Sequence, residues 1–323
     1  MFRYLRHLTL TATSWALNSS NDDILVGGQA VIEGVMMRSP KGYSVAVRRQ
    51  DGSVRVVTGA LKTVGERWKA FKLPVLRGIG VLGQALVLGI KALQFSADEA
   101  LAEEAEKDQS KAKEASESRK SGNSSWFIAA NLVIALGVNL LMFVFLPLFL
   151  TRLVVQVQVG FWNNLLFNGV DGMFRVLVFV GFLLTVSLMK DMRRVFEYHG
   201  AEHKTVYNFE AREELKVDNA QKYSTLHPRC GTSFLLVVMI VSILVFSLFK
   251  FDTFTGKLLS RIVLLPLVAG IAYEIIRYSA KHPRSLLRIV TFPGLLLQKI
   301  TTKPPDNSQV EIAIRALEEA LKV

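Results

Sequence analysis

From Trp126 to Leu150 the chain runs for 25 residues without a charged side chain. A helix rising ~1.5 Å per residue over that length can cross a hydrocarbon core of about 30 Å. A soluble fold has little use for such a run, so this segment constrains the chain more than any other. Three further segments share the character. Gly172 to Met189 carries only Arg175 near one end, until Met189. Phe234 to Phe249 is uncharged and short, so neighbouring residues must complete a span. Leu258 to Ile276 holds Arg261 near its start and Glu274 near its end. With half of 323 residues apolar and a mean hydropathy of +0.32, the expected fold class is a mainly α-helical polytopic membrane protein with about four transmembrane helices.

Charge orients these spans. Residues 151–171 contain one basic residue, Arg152, whereas residues 190–233 contain eight. The tail after the fourth span adds Arg277, Lys281, Arg284 and Arg288. Positive connections stay inside, so loop 190–233 and both termini are predicted cytoplasmic, in a multi-pass protein of the inner or plasma membrane. The net charge of +12 then reads as topology-setting Lys/Arg meeting anionic lipid. Expected partners are the lipid bilayer and either other membrane proteins or further copies of the chain. Nucleic acid is not expected, because the basic residues are spread along membrane segments and not gathered with stacking aromatics.

Five regions follow. Residues 1–23 read as a basic, variable N-terminal extension. Residues 24–72 read as a small β domain, with turns at Ser39-Pro40-Lys41-Gly42 and Asp51-Gly52 between β-rich runs. Residues 73–125 read as an interfacial helix and a charged linker, since Arg77, Gln84 and Lys91 recur every seven residues along residues 75–95; a fifth span is the competing reading. Residues 126–300 form the transmembrane domain with cytoplasmic loop 190–233, and residues 301–323 a C-terminal tail helix. Charges inside spans are limited to Arg175, Arg261 and Glu274, which is little support for a transport path.

The residues that could carry chemistry lie in that loop. His199 and His203 are four apart, so a helix sets both imidazoles on one face, able to grip one ion. Glu202 completes His-x-x-Glu-His, the inverted zinc-protease pattern, in which the Glu is the general base. Candidates for the rest of the ligand set are His227 and Cys230, three apart before the third span, and Glu274, 71 residues after His203. Cys230 is the single cysteine, so no intrachain disulfide forms. The duller reading of each is structural: local hydrogen bonding for the His/Glu pattern, a small filler for Cys230, a salt bridge to Arg277 for Glu274. Glu33, in a Gly-flanked apolar run, needs a partner: a hydrogen-bonded turn in the plainer reading, the helical loop or the metal in the sharper one.

The runs Gly27–Arg38, Leu73–Gly78, His199–Thr205, His227–Phe234 and Ala272–Glu274 together resemble the YqhQ-like bacterial membrane proteins, a family built on a domain of unknown function. The resemblance covers about residues 24–300. It implies the membrane placement and a metal-dependent enzyme, a label that itself rests on such His/Glu patterns, and it implies no substrate. The expected function is a metal-dependent hydrolase at the cytoplasmic membrane face. Zinc is the expected cofactor, bound by His199, His203 and one or more of His227, Cys230 and Glu274, with Glu202 catalytic. The alternative is a non-catalytic scaffold or assembly factor of a translocation or envelope complex.

Overall fold

The computed structural model describes residues 26–61, 68–107, 123–155, 161–249, 251, 253–282 and 288–323. The extension 1–23 and much of the charged linker before residue 123 lie outside them.

Four strands, β1 (Gly27–Val31), β2 (Gly34–Arg38), β3 (Gly42–Arg48) and β4 (Val54–Ala60), form an antiparallel meander in the order β1-β2-β3-β4. Turns at Ile32-Glu33, Ser39–Lys41 and Asp51-Gly52 join them, and Gly52 takes the positive φ of 83° that such a turn demands. Side chains alternate between two buried faces. Val35, Met37 and Ala46 face one way, into a core with α5 (Lys190–Glu210), α6 (Val217–Gln221) and α10 (Asn307–Lys322). Met36, Val45 and Val47 face the other way, onto Leu88 and Ala92 of α1 (Leu76–Lys107). Burial on both faces explains why β2 and β3 read as apolar runs. α10 is tied on by Ser44, whose hydroxyl donates to the Ala316 carbonyl at 2.5 Å, and starts in a capping box of Asp306 and Gln309.

The helical body comprises α2 (Asn123–Leu140), continued through a π-turn at Leu141–Phe145 into α3 (Leu146–Val154), then α4 (Phe161–Ser187), α7 (Gly231–Leu248), α8 (Phe254–Lys281) and α9 (Arg288–Thr301). α7 is its centre and packs on α4, α8 and α9. Val237, Val241 and Phe246 meet Val268 and Ala272 of α8, while Leu236 and Met239 meet Phe179 of α4 and Leu297 of α9.

Five of the described helices are long and apolar enough to cross a membrane: Leu76–Glu104, Val133–Val154, Trp162–Ser187, Gly231–Leu248 and Phe254–Ser279. The sequence reading counts four, and α1 is the addition. α1 begins against α8, with Arg77 paired to Glu274 and Gly78 against Tyr273. It ends on the sheet: Ser96 accepts from Ile32 N–H, Arg49 pairs with Glu99, and Gln50 N–H donates to Glu103. The start of α4 also differs. Residues 161–171, read as loop, are helical. Asn164, Asn168 and Asp171 lower the local hydropathy, yet all three are buried against α7 and α8.

Candidate metal centre

α5 places His199 and His203 one turn apart on one face, with ring centroids 4.5 Å apart. The chain then turns through α6 and returns, so that Cys230 caps the N-terminus of α7, its sulfur accepting from Thr232 N–H. This brings Cys230 Sγ to 3.2 Å from His199 Nε2. One ligand atom from each of His199, His203 and Cys230 lies within 4.8 Å of the other two.

Backbone carbonyls set the tautomers. His199 Nδ1 lies 2.8 Å from the Thr301 carbonyl, and His203 Nδ1 2.5 Å from the Thr225 carbonyl. A carbonyl only accepts, so each Nδ1 carries the hydrogen and each Nε2 presents its lone pair. That is how ligating histidines are held by their outer hydrogen bonds. His203 Nε2 is buried and makes no hydrogen bond of ordinary geometry, with Glu202 Oε2 at 3.5 Å and the Cys230 thiol beside it. Burial also pushes the His203 pKa down, which favours the neutral form a metal needs. Two imidazoles and a thiol are a donor set suited to zinc, and the orphaned nitrogen is a place where such an ion fits.

Two glycines permit the construction. A Cβ on Gly200 would meet the Lys303 carbonyl oxygen at 2.2 Å. The segment carrying the Thr301 carbonyl therefore reaches His199 only past a glycine. A Cβ on Gly28 would lie 2.4 Å from the Met36 carbonyl oxygen and 2.9 Å from Glu202 Cγ. β1 thus closes over Glu202, and Gly28 N–H donates to its carboxylate. Glu202 is buried, with Oε2 3.5 Å from His203 Nε2. Burial raises its pKa, opposed chiefly by His199.

Of the remaining sequence candidates, His227 borders the three-residue group and Glu274 lies away from it. His227 Nδ1 accepts from Arg229 N–H at 3.3 Å, so its hydrogen sits on Nε2, 3.4 Å from Glu210 Oε1. Its ring neighbours His203 at 5.6 Å, but the tautomer is the opposite of the other two. Burial lowers its pKa to about 4. Glu274 is on α8 and is held by Arg77 Nε at 2.6 Å and Val75 N–H at 3.3 Å, outside the three-residue group. Glu33, at φ 51° in the β1–β2 turn, pairs with Arg194 of α5 at 2.5 Å and accepts from Tyr198 at 3.4 Å. It joins the sheet to α5.

Sequence reading missed what holds the site: the Thr225 and Thr301 carbonyls, the glycine gap at Gly200 and the buried Lys204 ammonium. Lys204 donates to the Gln221 and Tyr223 carbonyls and anchors the return loop. No side-chain pattern announces a carbonyl. It also missed a second cluster in the bundle, where Asp171 joins Arg175 and Arg261. The polar spacing Asn164, Asn168, Asp171, Arg175 on one helix face was the available signal.

The family model described as a protein of unknown function, DUF1385, matches residues 73–323. The uncharacterized protein YqhQ of Bacillus subtilis (strain 168) is 34% identical over 301 residues, covering 92% of each chain. No solved structure matches. The family match runs to the last residue and so includes α10, which the sequence resemblance left out. The chain belongs to the DUF1385, YqhQ-like family.

Proposed function

We propose that this is an integral membrane protein with a divalent-metal centre at His199, His203 and Cys230, serving hydrolysis at the cytoplasmic membrane face. The observation that carries the reading is that His203 Nε2, buried and without a hydrogen bond of ordinary geometry, lies within 4.8 Å of donor atoms of His199 and Cys230.

Exposed apolar side chains such as Val133, Ile134, Leu177, Leu184 and Val263 support the membrane setting, since water does not favour so broad an apolar surface. Contacts argue for four crossings. The sheet and the second half of α1 touch, and the sheet also touches α5. An even number of crossings must therefore separate sheet from α5. α2–α3 and α4 supply two, α7 and α8 two more, and α1 leaves and returns on one side. The eight basic residues of 190–233 make that side cytoplasmic.

A bound zinc ion would supply Lewis-acid activation of water and carbonyl groups. The chain's own part is to hold two neutral imidazoles by carbonyls, exclude bulk water, and place Glu202 where it accepts a proton beside His203 Nε2. The substrate class favoured by a site at the mouth of the bundle is a membrane-bound peptide or lipid-linked molecule. The test is metal analysis of purified full chain together with complementation of a deletion. Glu202→Gln is expected to keep the metal and lose function. Full complementation by Glu202→Gln would remove the hydrolytic reading and favour the assembly-factor alternative.

The 3.2 Å contact of Cys230 Sγ with His199 Nε2, at a helix N-terminus, favours a second reading, a thiol nucleophile with its base. A stable acyl or alkyl adduct on Cys230 in metal-free, functional protein would select it.

A further inference from the structure

Away from the metal centre, the end of the bundle opposite the sheet holds a second buried polar assembly. α4 begins, α7 ends and α8 begins there, joined by Asn164, whose amide donates to the Ser247 carbonyl at 2.8 Å. One and two turns into α8 stand Lys257 and Arg261, 5% and 3% exposed. Asp171 of α4 is 1% exposed.

Among the described residues, two buried guanidinium groups share one buried carboxylate. Asp171 Oδ2 accepts from Arg175 at 2.8 Å and from Arg261 at 2.9 Å, so two guanidinium groups share one carboxylate oxygen. Both guanidinium groups sit over the Phe246 ring, at 5.6 Å and 5.0 Å. An uncompensated charge is costly in apolar surroundings. Two atoms of the triad also lack hydrogen-bond partners although buried: Arg175 Nε, a donor, and Asp171 Oδ1, an acceptor. Buried polar atoms are seldom left so.

These observations ask for one kind of guest. It carries negative charge, accepts from Arg175 Nε, and brings an O–H for Asp171 Oδ1. A phosphate bearing a hydroxyl has all three properties. We propose that Arg175, Arg261 and Asp171 form a binding site for such a phosphate, whether inorganic phosphate or the head of a glycerol phospholipid from the leaflet opposite the sheet. Arg175 and Arg261 bind the anion; Asp171 splays the two guanidinium groups and reads the hydroxyl. The proposal is independent of the metal centre.

The experiment uses the purified full chain in two arms. One arm places it in phosphatidylcholine nanodiscs with or without phosphatidylglycerol and reads retained lipid by native mass spectrometry. The other titrates inorganic phosphate in phosphatidylcholine alone and reads thermal stability. A retained phosphatidylglycerol identifies the lipid source, and a shift with phosphate identifies the free ion. Arg261→Gln should weaken the responding probe by about tenfold or more, the loss expected of one charged hydrogen bond. Arg175→Lys keeps the charge but loses Nε, and should weaken it too. The proposal is overturned if wild type takes neither probe, or if folded Arg175→Lys or Arg261→Gln binds as wild type does; the last result would place the probe elsewhere and leave a structural ion pair here.

Discussion

His199 Nε2 stands 3.2 Å from Cys230 Sγ across 31 residues of chain. The contact exists because α5 and the start of α7 meet at the mouth of the bundle, with the loop between them pinned by Lys204. Both side chains point where His203 Nε2 also points. Their positions are therefore coupled to backbone elsewhere, and that coupling can be tested.

Gly200→Ala should act as a lesion in the metal centre although residue 200 offers no ligand. Its Cβ would lie 2.2 Å from the Lys303 carbonyl oxygen, with Thr225 next at 3.2 Å. The 301–303 segment must move, and the Thr301 carbonyl then loses His199 Nδ1. Outer-shell losses commonly lower metal affinity ten- to a hundredfold, as an order of magnitude. Chelator competition on the purified variant checks this. Affinity equal to wild type would show that Thr301 does not orient His199.

His227 should make stability depend on pH. It has an ordinary value near 6.5 and a folded value of about 4. Below about 6.5 the unfolded chain takes up a proton that the folded chain refuses, so stability falls as pH drops from 6.5 towards 4. The span corresponds to something on the order of 3 kcal/mol. Buried His203 acts in the same direction, whereas Glu202, with a raised pKa, acts in the opposite one. Comparing melting of wild type and His227→Gln across that window in chelator isolates His227. The wild type should lose more on acidification, and parallel curves would contradict the assignment.

Glu33 and Arg194 form a pair whose side chains are 34% and 53% exposed. Glu33→Gln should therefore cost at most about 1 kcal/mol in melting experiments. Its effect should be larger on function than on stability, since the pair fixes on α5 the hairpin whose β1 carries Gly28 over Glu202. A large loss of stability would mean that the pair is shielded by something seated on the site.

Topology is checked with impermeant thiol reagents in a Cys230→Ser background. Trp162→Cys and Val323→Cys are both at exposed positions, 77% and 43%. Val323→Cys should be labelled only in opened cells and Trp162→Cys in intact ones. Labelling of both from the same side would break the four-crossing arrangement.

What was legible in the chain depended on range. The turn at Asp51-Gly52 and the uncharged runs are local signals, and they mark real elements. The His199/His203 face follows from helical spacing alone. Which residue joins the two histidines is not local. His227, Cys230 and Glu274 are all possible ligand types, and only the return of the chain to the N-cap of α7 brings Cys230 to His199, while Arg77 occupies Glu274. Asp171 was hidden for the opposite reason. Its three asparagine neighbours dilute the hydropathy that marks a helix in a bundle, although its cost is met by arginines 4 and 90 residues away. The cover of β3 by α10 spans 272 residues at Ser44 and has no signal in either segment.

The central claim is a metal ion held by His199, His203 and Cys230. X-ray absorption at the metal edge of purified, zinc-loaded protein tests it most directly. The account predicts one sulfur at about 2.3 Å and two imidazole nitrogens at about 2.0–2.1 Å, with the sulfur lost in Cys230→Ser and one imidazole lost in His203→Ala. A shell without sulfur, or one unchanged in both variants, would contradict it.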